Sequence, residues 1–264
     1  MAAIPFTLHR IPGYIENIFL IEYSDRLLLL DSGCYNDVPQ IEKYCHDKLG
    51  RSPRDINLIA VSHMHPDHGG GAVLLRQRHG IPIAAHHAVD RWYAGAGGAL
   101  QQVLDCYMAL IVARHNHRHW RRLGYQRTLQ PDYLLGDGDP LPGFSDWQAL
   151  HVPGHTLHDL IFFNPPSGCL YIADMICEVH GENRLPLPIL FPDKMAASYD
   201  KAASLAASTL LLAHGAVTHP VDPPALFAAM KDRLHLPPNR MTRRVHRMSV
   251  YSPEVRQQMG RCWY

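Results

Sequence analysis

The side chains best suited to chemistry stand together at His63-Met64-His65-Pro66-Asp67-His68, followed at once by Gly69-Gly70-Gly71. Neutral imidazole nitrogens and carboxylate oxygens are the donors that zinc and similar divalent ions take. On a loop leaving a strand, alternate residues can converge on one ion while Asp67 and His68 point at a second. The glycines let the backbone turn away tightly and leave the site open. With 19 histidines in 264 residues, chance produces such a cluster on the order of once in a hundred chains. A scatter of surface histidines is the poorer account. No Gly-x-Ser-x-Gly motif is present, so a serine nucleophile is not expected.

The elements around this segment must bring it there and cover it. Ile15 to Tyr23 and Arg26 to Asp31 read as strands joined by a turn at Ser24-Asp25. Val38 to Leu49 has helical spacing, and Ile56 to Val61 is a short buried strand running directly into Ser62-His63. A helix through Leu74-Leu75 and a strand over Ile81 to Ala84 follow. Leu100, Val103, Leu104, Tyr107, Met108 and Ile111 recur at the period of an amphipathic helix. That helix is expected to pack on the core, with a lid or dimer contact as the alternative. Strands resume at Trp147 to Val152, Leu160 to Phe163, Cys169 to Ala173 and Leu210 to Ala213, with helices over Ala196 to Ala207 and Pro224 to Leu234. The tail beyond Pro237 reads as irregular and basic. Two β-rich halves covered by helices are the architecture this order suggests.

At this point the chain resembles the metallo-β-lactamase superfamily. His63-x-His65-x-Asp67-His68 is similar to its signature, and other landmarks follow in the family's order. Leu28 to Gly33 looks like its early strand ending in an Asp-Thr-Gly-type turn, with Ser32 replacing threonine. Asp137-Gly-Asp-Pro resembles the turn before its middle strand. Val152-Pro153-Gly154-His155-Thr156, Tyr171-Ile172-Ala173-Asp174 and Leu212-Ala213-His214-Gly215 resemble its later ligand segments. The resemblance implies an α/β fold, a four-layer αβ/βα sandwich. Over residues 1–264 this would be one domain, with a helical insertion at about 86–130 and an irregular tail at about 237–264. It also implies one ion held by His63, His65 and His155. A second would be held by Asp67, His68 and His214, with Asp174 bridging both and Asp31 orienting a ligand histidine from behind.

The cofactor so implied is a pair of divalent metal ions. Zinc is expected, with iron or manganese as alternatives, since availability often decides occupancy. Two such ions lower the pKa of a bridging water, giving a hydroxide that attacks an electrophile while Asp67 holds the proton. Metal-assisted hydrolysis of a thioester, lactone or other carboxylic ester is the favoured reaction. A phosphodiesterase or nuclease is the alternative, and a non-catalytic metal sensor the second. His65 stands where flavodiiron-type members carry glutamate, which disfavours that branch. The apolar loop Leu185 to Pro192 is a candidate wall for an acyl substrate, through Leu187 and Phe191.

Composition excludes little more. A net charge of +1 gives no bulk attraction to nucleic acid or membrane. There is no run of about 18 apolar residues and no signal-peptide pattern at the start. Six scattered cysteines without a Cys-x-x-Cys pair fit reduced thiols and a cytoplasmic protein. Cys34 is expected to be a buried structural thiol. Arg114 to Arg127 holds five arginines and no acid, and Lys231 to Arg247 holds six basic residues against Asp232. Solvated faces are the first reading, and an anionic part of a small-molecule substrate the functional one; nucleic acid is disfavoured without stacking aromatics. His115, His117 and His119 would not share a face on a helix and are not expected to hold a metal. A homo-oligomer is left open.

Overall fold

The computed structural model describes residues 6–259. Cys262 and the end of the expected irregular tail lie outside the described residues. The first sheet holds β1 (Thr7–Pro12), β2 (Asn17–Glu22), β3 (Leu27–Leu30), β4 (Ile56–Val61), β5 (Ile83–His86) and β6 (Tyr133–Leu135), in that spatial order. β1 to β3 pair antiparallel and β3 to β6 parallel. Parallel neighbours need long crossovers. These contain α1 (Val38–Tyr44, continued by a π turn over Cys45–Leu49), α2 (Ala72–His79) and α3 (Gly95–His115).

The second half runs through β7 (Pro140–Leu141), β8 (Phe144–His151), β9 (Leu160–Asn164), β10 (Cys169–Tyr171) and the hairpin β11 (Cys177–Val179) with β12 (Glu182–Arg184). It continues with α4 (Pro192–Ala203), β13 (Thr209–Leu211), β14 (Val217–Thr218) and α5 (Pro223–Asp232). The second sheet has the order β14-β13-β10-β9-β8-β7.

The sheets pack face to face. Phe19, Ile21, Leu28, Leu30, Leu58 and Ala60 of the first meet Phe144, Trp147, Ala149, Leu160, Phe162 and Tyr171 of the second. The outer face of the first sheet carries Ile18, Leu20, Leu27, Leu29, Ile59 and Val61, which pack with Val38 and Ile41 of α1 and Leu75 of α2. The outer face of the second packs on Met195 and Tyr199 of α4 and Phe227 and Met230 of α5. Helices therefore cover both sheets, giving the four-layer αβ/βα sandwich. The unbroken Leu27–Leu30 run is the consequence: a strand buried on both faces has no polar alternation. Each such leucine contributes about 1.5–3 kcal/mol by its burial.

Three expectations need correction. The tail is not irregular, because α6 (Arg240–Met248) and α7 (Pro253–Met259) occupy it. Asn239 caps α6 by accepting from the Thr242 amide at 2.8 Å, and Val255 of α7 is fully buried. The basic composition of α6 hid its helical character. Second, His117 and His119 follow α3 rather than riding on a helix. Third, α3 is turned over. Gln101, Asp105, Ala109 and Ala113 face inward, while Leu100, Val103 and Tyr107 are 45%, 64% and 49% exposed.

Candidate metal centre

The C-terminal ends of β3, β4, β8, β10 and β13 lead to Asp31, His63, His155, Asp174 and His214 respectively. Backbone bonds tie the two sheets at this edge: the Leu160 amide donates to the Ser62 carbonyl at 3.0 Å, and the Asn17 amide to the Ala213 carbonyl at 2.7 Å. Strand ends from both sheets thus reach one place. The triglycine turn serves close approach more than left-handed geometry. A Cβ on Gly70 would stand 2.0 Å from the Pro66 carbonyl oxygen, and one on Gly71 2.5 Å from that of Ser32.

Two donor sets meet here. In the first, the candidate ligand atoms of His63, His65, His155 and Asp174 all lie within 4.8 Å of one another, and the same holds for Asp67, His68 and His214 in the second. His65 Nδ1 is 3.1 Å from His63 Nε2 and 2.8 Å from His155 Nε2. His155 Nδ1 donates to the Pro188 carbonyl at 2.6 Å, which leaves its Nε2 as a bare lone pair pointing inward. Asp174 stands between the sets. Its Oδ2 is 3.2 Å from His155 Nε2 and 3.9 Å from His63 Nε2, while Oδ1 is 3.1 Å from His68 Nε2 and 3.3 Å from His214 Nε2. Asp67 Oδ2 is 3.3 Å from His214 Nε2.

Charge follows this division. Burial, with the neighbouring imidazoles His68 and His65, holds His63 well below the usual histidine range. Burial and then His155 push His65 down to about 3. His63 and His65 therefore offer neutral lone pairs. Burial opposes the charging of His68 and His214, yet the carboxylates around them, Asp174 foremost, raise both well above the ordinary value. Asp174 is held well below its usual range against burial, by His68 and then His214. Both sets fit divalent ions. Converging imidazole nitrogens at 2.8–3.1 Å leave room for few protons among them. His68 Nε2 and Asp174 Oδ1 are buried without a hydrogen-bond partner, which a shared cation would supply.

Behind the donors stands a scaffold of fixed partners. Asp31 is fully buried at φ 56°. It accepts from the Ser62 amide and hydroxyl at 2.6 Å each, from His68 Nδ1 at 2.7 Å and from the Tyr171 hydroxyl at 2.5 Å. Of these four bonds, the one from His68 Nδ1 reaches a candidate ligand histidine. Thr156 and Asp159 close the turn that carries His155, through the Thr156 amide at 2.7 Å and its hydroxyl.

Several partners escaped sequence reasoning. Asp105 Oδ2 on α3 lies 3.7 Å from His65 Nε2, the nitrogen facing away from the donor set. The Met64 amide donates to the fully buried His158 at 3.1 Å, holding the loop between His63 and His65. Glu16, buried with both oxygens unpartnered, sits 3.5 Å from His68 Nδ1. The usable signal for Asp105 was its i,i+4 relation to Gln101, a polar pair in a largely apolar helix. Asp105→Asn is expected to weaken metal retention about 10–100-fold, read by competition with a chromophoric chelator. Unchanged retention would remove Asp105 from the site's support.

Leu187 and Phe191 do not come to the cavity beside the donors. That cavity is lined by His63, His155 and Asp174 with Val152, Ile172 and Met195 among the apolar residues. Leu187 is 43% exposed, and Phe191 packs on the outer helical layer. The loop's contact with the donors is the Pro188 carbonyl, which accepts from His155. Cys34 is fully buried, and burial with nearby carboxylates raises its thiol well above the usual value, so it is inert.

The sequence profile described as the metallo-beta-lactamase superfamily matches residues 11–214. Among solved structures, the chain is similar to a metallo-beta-lactamase family protein from Thermus thermophilus. The TM-score is 0.65 at 18% identity, over 97% of this chain and 94% of that one. An archaeal superfamily protein from Sulfolobus tokodaii gives 0.62 at 14% identity, over 95% and 98%. A protein solved in a di-iron-bound form gives 0.58 at 22% identity, over 85% and 98%. At such identities the structural likeness is one of fold, while the profile match covers most of the chain and includes all seven donor residues. The chain belongs to the metallo-beta-lactamase superfamily, whose members are generally metal-dependent hydrolases.

Proposed function

We propose that this protein is a cytoplasmic two-metal hydrolase of a thioester, lactone or other carboxylic ester. The observation that carries the two-metal reading is Asp174, which turns one oxygen to each donor set. His63, His65 and His155 would hold one ion and Asp67, His68 and His214 the other, with Asp174 shared. Such ions supply Lewis acidity and a water that ionises near neutral pH. The chain's own part is to hold the donors still and to handle the proton. Asp67 Oδ2, beside His214 on the more open side, is the oxygen placed to keep that proton. Side-chain exposure of 18% at His214 and 12% at Asp67, against 1–2% at His63 and His155, supports substrate approach from the His214 side. Zinc suits the donors, and iron is the alternative favoured by the di-iron neighbour. A reducing compartment suits the five described cysteines, all free.

Elemental analysis of the purified protein, followed by p-nitrophenyl butyrate, an acyl thioester and bis(p-nitrophenyl) phosphate, tests this reading. About two equivalents of metal with turnover of ester or thioester supports it. Preferential turnover of the phosphodiester would move the protein to the phosphodiesterase class. Tight metal without any turnover would make it a sensor.

A further inference from the structure

We propose that the outward face of α3 and the arginine-rich segment after it seat this protein on an anionic lipid surface. The inference stands apart from the bond class assigned above and starts from the helix's orientation. Gln101 and Asp105 are buried at 0% and 4% exposure, and Asp105 accepts from the Tyr93 hydroxyl at 2.8 Å and from Gln101 Nε2 at 2.7 Å. The polar side of the helix is thus consumed inside the protein, beside His65. Leu100, Val103 and Tyr107 lie outside on one stripe, at steps of three and four residues, with half-buried Ile111 and exposed Arg114 continuing it. Among the described residues, α3 is the helix long and apolar enough to cross a membrane by length and composition. With Gln101 and Asp105 held in the interior, it can lie on a bilayer but not across one.

Charge decides what the stripe faces. No acid occurs between Asp105 and Asp132, a span that holds Arg114, Arg118, Arg121, Arg122 and Arg127. Arg114, Arg118, Arg121 and Arg122 are exposed and form no ion pair among the described residues. Trp120 beside them is 74% exposed. The segment is held against the body: the Arg118 amide donates to the Ala113 carbonyl at 2.8 Å, and the Tyr14 hydroxyl to that of His119 at 2.7 Å. A second basic helix ends against the same element, since Gln101 Nε2 donates to the Met248 carbonyl of α6 at 3.1 Å. An apolar stripe, an exposed indole and arginines without counter-charges match the chemistry of an anionic bilayer interface. A second copy of this chain would bring the same acid-free surface, which leaves the arginines unanswered.

The test is co-sedimentation of the full chain with vesicles of phosphatidylcholine alone or mixed with phosphatidylglycerol, at low and high salt. Binding is expected only with phosphatidylglycerol, weaker at high salt. It should fall about tenfold or more in Leu100→Ser/Val103→Ser/Tyr107→Ser and in Arg118→Glu/Arg122→Glu. Circular dichroism melts establish that each variant folds, and the charge variant decides alone if the apolar one does not. Absence of binding at low salt, or binding indifferent to a folded variant, overturns the proposal. So does a lipid-free dimer in sedimentation equilibrium that the apolar variant converts to monomer while vesicles capture nothing, because a second copy would then cover the face.

Discussion

Asp174→Ala is expected to lose both metal equivalents and to lower kcat/KM about a thousandfold or more, roughly 4 kcal/mol at 1.36 kcal/mol per factor of ten. The reason is its position. Asp174 offers one oxygen to His155 and the other to His68 and His214, so its loss leaves Asp67 as the one carboxylate in the second donor set. Asp174→Asn separates shape from charge, since it keeps the volume and one acceptor oxygen. Elemental analysis beside a melting curve distinguishes loss of metal from loss of fold. If Asp174→Ala retained two equivalents and full turnover, the shared-carboxylate arrangement would be wrong.

Asp31→Asn is expected to destabilise the protein by about 3–5 kcal/mol, because it breaks a buried charge-assisted network without removing the donors. Four donors converge on this carboxylate: the Ser62 amide and hydroxyl, His68 Nδ1 and the Tyr171 hydroxyl. An amide has one acceptor oxygen, and its NH2 would confront donors on the other side. At about 2–4 °C per kcal/mol for a chain of this size, the melting temperature should fall by roughly 10 °C. Asn tolerates the left-handed backbone at φ 56°. Asp31→Ala should therefore melt lower still, by about a further 1–2 kcal/mol. A melt of Asp31→Asn within a degree or two of wild type would show that the network carries little stability.

Asp31 also marks the boundary between what could be read and what could not. The family resemblance implied a carboxylate behind a ligand histidine here, and the 2.7 Å contact with Nδ1 of His68 is a matter of tertiary distance. The Leu187 and Phe191 expectation failed on the same ground. Apolar side chains in a loop near Asp174 say nothing about which of them turns inward, and here the loop contributes the Pro188 carbonyl.

Local order determined much of this protein. Short apolar runs report burial of each residue's own side chain, so the core β-strands and two helix-covered halves were readable, while the four-layer sandwich was what the family resemblance implied. The cluster from His63 to His68 is contiguous, so its chemistry was readable too. Orientation was left to the tertiary structure. The periodic stripe of α3 was visible, but a period names a face without saying what it meets, and the fold put Gln101 and Asp105 inside. Asp105 behind His65, Glu16 near His68 and His158 on the Met64 amide join residues 40, 52 and 94 positions apart. Such pairs leave no spacing in a chain, because the loops between them set no fixed distance until both sheets have closed on their common core.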